Sequence, residues 1–212
     1  DDYLFSAVAG TRIAFDGLLP SGSQGYRYTI TGPRGDEISG AYFYNAESYD
    51  GNPVLALPLS GDYRMRIFAD GNRTGAYAFR LHELGAAAQI TPGAQVDGAL
   101  NPSNETDLYR FSANAGDRLF FDVRAFSPNN GDWVTWRLLD PLGRAVWGPS
   151  GFYINNDVET GPLALTGEYT LLIEGRNWTV SSGVASFNYS FAVLPVTDDA
   201  PAALTLGQRV DG

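Results

Sequence analysis

The chain of 212 residues has no cysteine, one histidine and one methionine. Without cysteine there is no disulfide and no thiolate metal site, so stability has to come from a packed core. A single histidine, His82, excludes a multi-histidine zinc site and a repeated His relay. With no thiol and no G-x-S-x-G turn beside it, His82 has no evident partner as a general base, and it reads as an exposed residue at the end of a strand. No apolar run approaches the ~20 residues that a spanning helix needs, so no membrane span is expected. Cations are scarce: 14 Lys and Arg stand against 24 Asp and Glu, a formal net charge of −10. That leaves no basic face for nucleic acid. Neither a P-loop nor a dinucleotide fingerprint occurs. The chain opens at Asp1-Asp2-Tyr3, already inside an apparent strand and without a signal peptide, and so reads as a processed product or a cut fragment.

What is present is hydrophobic and finely punctuated. Hydrophobic residues make up 44%, with 12 Tyr and 12 Phe, enough for a buried interior. The 25 Gly and 12 Pro are spread along the chain and separate many short elements. Apolar residues alternate with a period of two, as in Tyr109 and Phe111 against Arg110, and no window carries a capped 3.6-residue stripe. The expectation is an all-β fold of antiparallel sandwiches. Strands are expected at 2–7, 11–17, 26–31, 37–43, 53–58, 62–69 and 75–83, then at 94–99, 107–112, 117–125, 133–139, 144–148, 161–165, 168–175 and 185–194, with a last one at 204–210.

The sequence repeats itself. DDYLFSAVAGTRIAFD from Asp1 returns as DLYRFSANAGDRLFFD from Asp107, an offset of 106. YTITGPRG returns as WRLLDPLG, SGDYRMRI as TGEYTLLI, and AYAFRL as NYSFAV, all in order. Such self-similarity indicates two copies of one supersecondary body. A further pair is displaced: ITPGAQVDG (90–98) precedes the second body, and LTLGQRVDG (204–212) ends the chain with no body after it. The expected organisation is a first sandwich over 1–85 without an opening strand, a second over 86–196 with one, and a linker and donor strand over 197–212. In the tail, Leu204, Leu206 and Val210 form the candidate assembly face, equivalent to Ile90, Pro92 and Val96.

Candidates for chemistry are few. The carboxylate pairs Asp107/Asp122 and Glu168/Glu174 deserve notice because a glycosidase needs only two. Asp107 and Asp122, however, recur as Asp1 and Asp16, and a feature copied into both bodies is more simply structural. Trp136 aligns with Tyr28 and reads as core. Trp147 and Trp178 have no counterpart in the first body and are candidates for a docking patch, with partial burial the simpler reading. No constellation of nucleophile, base or metal ligands emerges, so no enzyme is expected.

The ordered motifs Val96-Asp97-Gly98, Asp107-x-Tyr109-x-Phe111, Gly116, VTWRLL (134–139), TGEYTLLI (166–173) and Tyr189-Ser190-Phe191 resemble the bacterial pre-peptidase C-terminal domain family, which includes the collagen-binding domains of clostridial collagenases. The resemblance covers nearly the whole chain, twice. It implies a jelly-roll-like β-sandwich serving as an accessory or adhesive module of a secreted protein. It also implies Ca²⁺ held by an acidic segment before the opening strand. LGAAAQI (84–90) carries no carboxylate there, whereas Asp198 and Asp199 before the last strand match the acidic position. Collagen binding, associated with a tyrosine-rich strand, is not expected from YTLLIEG (169–175), which has one tyrosine.

Together these readings predict a structural or adhesive repeat of an extracellular or cell-surface fibre or large surface protein. Its partner would be itself, head to tail, or adjacent repeats in a longer chain. The alternative is a carbohydrate- or matrix-binding accessory module of a secreted hydrolase.

Overall fold

A computed structural model describes residues 1–18, 25–43, 54–71, 73–129, 134–176, 183–197, 206–207 and 209. The strands are β1 (Asp2–Ala7), β2 (Arg12–Gly17), β3 (Tyr26–Thr31), β4 (Glu37–Tyr42), β5 (Val54–Ala56), β6 (Gly61–Ala69), β7 (Phe79–Glu83), β8 (Ala88–Gln89), β9 (Gln95–Leu100), β10 (Thr106–Ala113), β11 (Arg118–Ser127), β12 (Thr135–Leu139), β13 (Ala145–Trp147), β14 (Val158–Glu159), β15 (Gly167–Glu174) and β16 (Phe187–Val196). The fold is all-β, with a 3-10 turn at Leu84–Ala86.

Strands order into four sheets: β1-β6-β3-β4, β5-β2-β7, β13-β12-β15-β10-β8 and β14-β11-β16-β9. Pairing is antiparallel except for the short β8 beside β10, an element the sequence pattern does not announce. The first two sheets share a core built on Phe15, Ile30, Phe43, Tyr63 and Met65. The last two share another, built on Phe111, Phe121, Trp136, Leu171 and Phe191. A smaller apolar cluster of Ala14, Leu84, Leu108, Leu139 and Leu172, with Val54 against it, joins the sheet of β2 to the sheet of β10.

This stacking explains why matched strands differ in composition. β6 lies in an outer sheet, and its residues alternate between buried Tyr63, Met65, Ile67 and exposed Arg64, Arg66, Phe68. β15, its counterpart, is buried on both faces from Tyr169 to Glu174, so Leu172 replaces an arginine and the alternation disappears. Removing such a leucine from water contributes ~1.5–3 kcal/mol.

The two sandwiches repeat down to single hydrogen bonds. Gly10 N donates to Leu57 O at 2.8 Å, and Gly116 N donates to Leu163 O at 2.8 Å. Tyr63 Oη donates to Leu59 O at 2.6 Å and Tyr169 Oη to Leu165 O at 2.7 Å. Gly61 and Gly167 have φ of 141° and 152°, and a Cβ on either would stand 2.9 or 2.8 Å from Pro33 or Pro141. Only glycine fits at both turns, for both reasons.

Several sequence expectations change. No strand forms over 161–165; the short β14 at Val158–Glu159 pairs with β11 instead. His82 is not an exposed strand end: its side chain is 16% exposed, with Nε2 3.5 Å from Asp16 Oδ2. It is enclosed because the two sandwiches pack there. The strand expected over 75–83 starts only at Phe79, while its counterpart β16 starts at Phe187 and is paired on both sides. Residues 75–78 lack that second ladder among the described residues.

Candidate strand-acceptor site

In the second sandwich, β10 and β16 bring together Asp107, Tyr109 and Tyr189. The tyrosine hydroxyls are 2.6 Å apart, and Tyr189 Oη donates to Asp107 Oδ2 at 2.6 Å. With its proton committed to the carboxylate, Tyr189 accepts from Tyr109. β9 lies over this cluster. Gly98 pairs with Tyr189 and Val96 with Phe191. A Cβ on Gly98 would stand 2.6 Å from Tyr109 Oη and nearer still to the Tyr189 ring, so the backbone approach requires glycine. Val96 packs on the core two residues earlier.

Enclosure sets the electrostatics. Tyr109 is 9% and Tyr189 3% exposed. Burial pushes the Tyr109 phenol up to about 12 and the Tyr189 phenol further, the latter also by the neighbouring Asp107 charge. Burial likewise raises the Asp107 carboxyl above its ordinary value, against the lowering effect of the Tyr189 hydrogen bond.

The first sandwich carries the same cluster with no strand over it among the described residues. Tyr3 faces Met65 as Tyr109 faces Leu171, and Leu81 faces Phe15 as Val193 faces Phe121. Four residues before Leu81 and Val193 stand Tyr77 and Tyr189. Tyr3 and Tyr77 hydroxyls are 2.6 Å apart, and Tyr77 Oη donates to Asp1 Oδ2. Desolvation and the Tyr3 contact push the Tyr77 phenol up to about 12. Yet Tyr3 is 41% exposed and Asp1 is exposed. The sheet β5-β2-β7 has three strands where β14-β11-β16-β9 has four, and among the described residues β7 has no partner on the side where β16 has β9. The outer side of β1 is bare in the same sense: Leu4 is 77% exposed, while its counterpart Arg110 is paired with Gln89 of β8.

Of the residues singled out in the sequence, Leu204 and Val210, together with Asp198 and Asp199, lie outside the described residues. Leu206 is 93% exposed and forms a turn with Gly207 instead of continuing a strand. Among the described residues no group of three or more His, Cys, Asp or Glu is placed to hold a metal ion. The segment before β9 offers no carboxylate either, so among the described residues there is no donor set at that position for the Ca²⁺ that the family resemblance implies. The carboxylates considered for chemistry are engaged elsewhere: Glu174 with Arg137, Glu168 with Arg110 and Asp122 with Arg124. Trp147 packs edge-on against Phe121 and Trp136 and stacks on Phe152, within the second core. Trp178 lies outside the described residues.

Sequence reasoning named Gly98, Asp107, Tyr109 and Tyr189 as motifs of the family pattern but did not bring them together as one cluster. The signal was present: Asp-x-Tyr recurs at 1–3 and 107–109, a tyrosine recurs in AYAF and NYSF, and both displaced segments end in Val-Asp-Gly.

No family model matches the chain, and no curated protein matches it. Among solved structures it is similar to the Aeromonas hydrophila inhibitor of g-type lysozyme, a periplasmic protein, at 17% identity over 52% of this chain and 96% of that one, with a TM-score of 0.41. It is also similar to the pre-peptidase C-terminal domain of a Bacillus anthracis collagenase, at 20% identity over 50% of this chain and 93% of that one, with a TM-score of 0.35. The corresponding Salmonella Typhimurium lysozyme inhibitor shares 15% identity over 50% of this chain and 97% of that one, with a TM-score of 0.32.

Proposed function

We propose that this chain is a structural, adhesive repeat of an extracellular or cell-surface protein that assembles by β-strand addition. The bare edge of the first sandwich receives residues 204–212 of a neighbouring copy. The observation that carries this reading is the difference between the two equivalent sheets: β16 is capped by β9, whereas β7 has no such cap among the described residues. The tail repeats the Val-Asp-Gly of β9 as Val210-Asp211-Gly212. An open edge is a template for a further strand. Donor and acceptor are different surfaces of the chain, so the contact is heterologous and propagates into a filament unless its rotation closes.

Magnitudes define what the contact requires. Burying Leu204, Leu206 and Val210 would contribute at most roughly 5–9 kcal/mol at ~1.5–3 each. Ordering about eight residues costs ~1–2 kcal/mol apiece. Side-chain burial alone therefore does not suffice. The full ladder of backbone hydrogen bonds and a preformed acceptor must supply the difference. The paired hydroxyls of Tyr3 and Tyr77, already held by Asp1, are such a preformed surface.

Sedimentation velocity and electron microscopy of the purified chain test the proposal. Concentration-dependent, head-to-tail oligomers with a two-sandwich axial repeat are expected, and deletion of residues 203–212 should return the chain to monomers. Assembly that survives the deletion overturns the tail as donor. The carbohydrate- or matrix-binding alternative predicts monodisperse monomers and glycan-array binding. Its aromatic candidate Trp147 is instead packed on the core.

A further inference from the structure

We infer that Asp1, Tyr3 and Tyr77 form a selectivity element that admits an incoming strand only where glycine follows two residues after valine, and so fixes the register. This rests on the strand-addition reading and names what the acceptor recognises.

The second sandwich shows the rule with its occupant in place. Gly98 lies against Tyr189 and Val96 against Phe191, and the hydroxyls of Tyr109 and Tyr189 fill the volume that a side chain on residue 98 would need. Transferred to the first sandwich, glycine falls opposite Tyr77 and valine opposite Phe79. Phe79 is partly buried on the first core and stacks on Tyr77, which gives the valine an apolar seat. The hydroxyl pair is held rigidly, because Tyr77 donates to Asp1 while its ring packs on Tyr26 and Phe43. A slip of one residue would turn every side chain to the opposite face. A slip of two toward the valine would press its branched side chain onto two hydroxyls.

The Val-x-Gly spacing occurs at 8–10, 96–98, 146–148 and 210–212. The first three lie in or beside strands of the two sandwiches, so the segment of a second copy that we take as donor is the tail. The segment 200–212 holds two glycines, Gly207 and Gly212. Docking Gly207 against Tyr77 would place Thr205 on Phe79, whereas docking Gly212 places Val210 there. The tail therefore has one register that fits both positions, with Asp211 opposite Ala78 as Asp97 is opposite Ser190.

The test uses the full chain and labelled synthetic peptides, read by fluorescence anisotropy, so that the glycine is varied without risk to folding. The peptide of residues 200–212 is expected to bind, and its Gly212→Ala form at least tenfold more weakly. The β9 peptide of residues 88–100 should bind as well, with the same penalty for Gly98→Ala. A Tyr77→Phe chain, checked by circular dichroism, should discriminate less between the glycine and alanine peptides. Equal binding of the glycine and alanine forms would overturn the selectivity rule while leaving strand addition standing. Failure of both unmodified peptides to bind would overturn strand addition itself. Binding of 88–100 but not of 200–212 would remove the tail as occupant and leave the glycine rule to be judged on the β9 peptide.

Discussion

Tyr189 donates its hydroxyl proton to Asp107 at 2.6 Å, beneath the backbone of Gly98. In the first sandwich Tyr77 makes the same bond to Asp1 in the open. One hydroxyl–carboxylate pair is thus found in two settings within a single chain, under a strand in the second sandwich and without one among the described residues of the first.

Substituting Gly98→Ala should loosen β9 from the second sandwich. The added methyl has no room against two phenols, and overpacking of this kind costs ~1–3 kcal/mol. All four tryptophans fall at 133 or later, so tryptophan fluorescence in urea reports the second sandwich alone. The midpoint should fall, with the first sandwich, followed by tyrosine signals, affected less.

Replacing Tyr189 by Phe keeps the ring but removes the donor to Asp107. Asp107 is half-buried, so losing this hydrogen bond costs ~1 kcal/mol. The same tryptophan-detected titration should show that loss, and Tyr77→Phe should show a smaller one in the tyrosine signal of the first sandwich, because Asp1 is open to water.

The pH dependence of the two sandwiches should differ in sign. Burial holds the folded Asp107 carboxyl above its ordinary value of 3.8. Its contribution is therefore fully present below 3.8 and is lost as pH rises through the raised value. Asp2 behaves oppositely: its hydrogen bonds to Arg64 and Arg66 hold it below 3.8. What Asp2 contributes is present above that value and fades as the pH falls through its depressed pKa. Stability measured from pH 3 to 8 should show Asp107→Asn flattening the tryptophan-detected decline, and Asp2→Asn removing part of the tyrosine-detected loss in acid.

Asp16 ties the sandwiches together, accepting from Thr106 N at 3.1 Å with His82 Nε2 3.5 Å away. Asp16→Ala should lower stability by ~1–2 kcal/mol, the cost of one unmet buried backbone donor. It should also separate the tyrosine- and tryptophan-detected unfolding curves, because less then couples the two bodies.

Period and punctuation made most strands legible in the sequence. GDYRMRIFA alternates cleanly because β6 has one wet face, and its limits match the expectation within a residue or two. β15 was legible by homology to β6 inside the chain, since burial on both faces had erased its own period. His82 was misjudged because packing between sandwiches leaves no local trace in AFRLHELG. The displaced Val-Asp-Gly segments are legible as a repeat, but the period-two pattern marks only their large apolar residues. The residue that decides the fit is glycine, visible only once Tyr109 and Tyr189 are seen to occupy the space above it.

The most direct measurement of strand addition is amide hydrogen exchange along residues 75–83 at low and high chain concentration. Strand addition predicts that residues 75–79, of which only Phe79 lies in β7, become protected as concentration rises. It also predicts that deletion of residues 203–212 abolishes this gain. Exchange at 75–79 that is independent of concentration, or protection that persists without the tail, would contradict it.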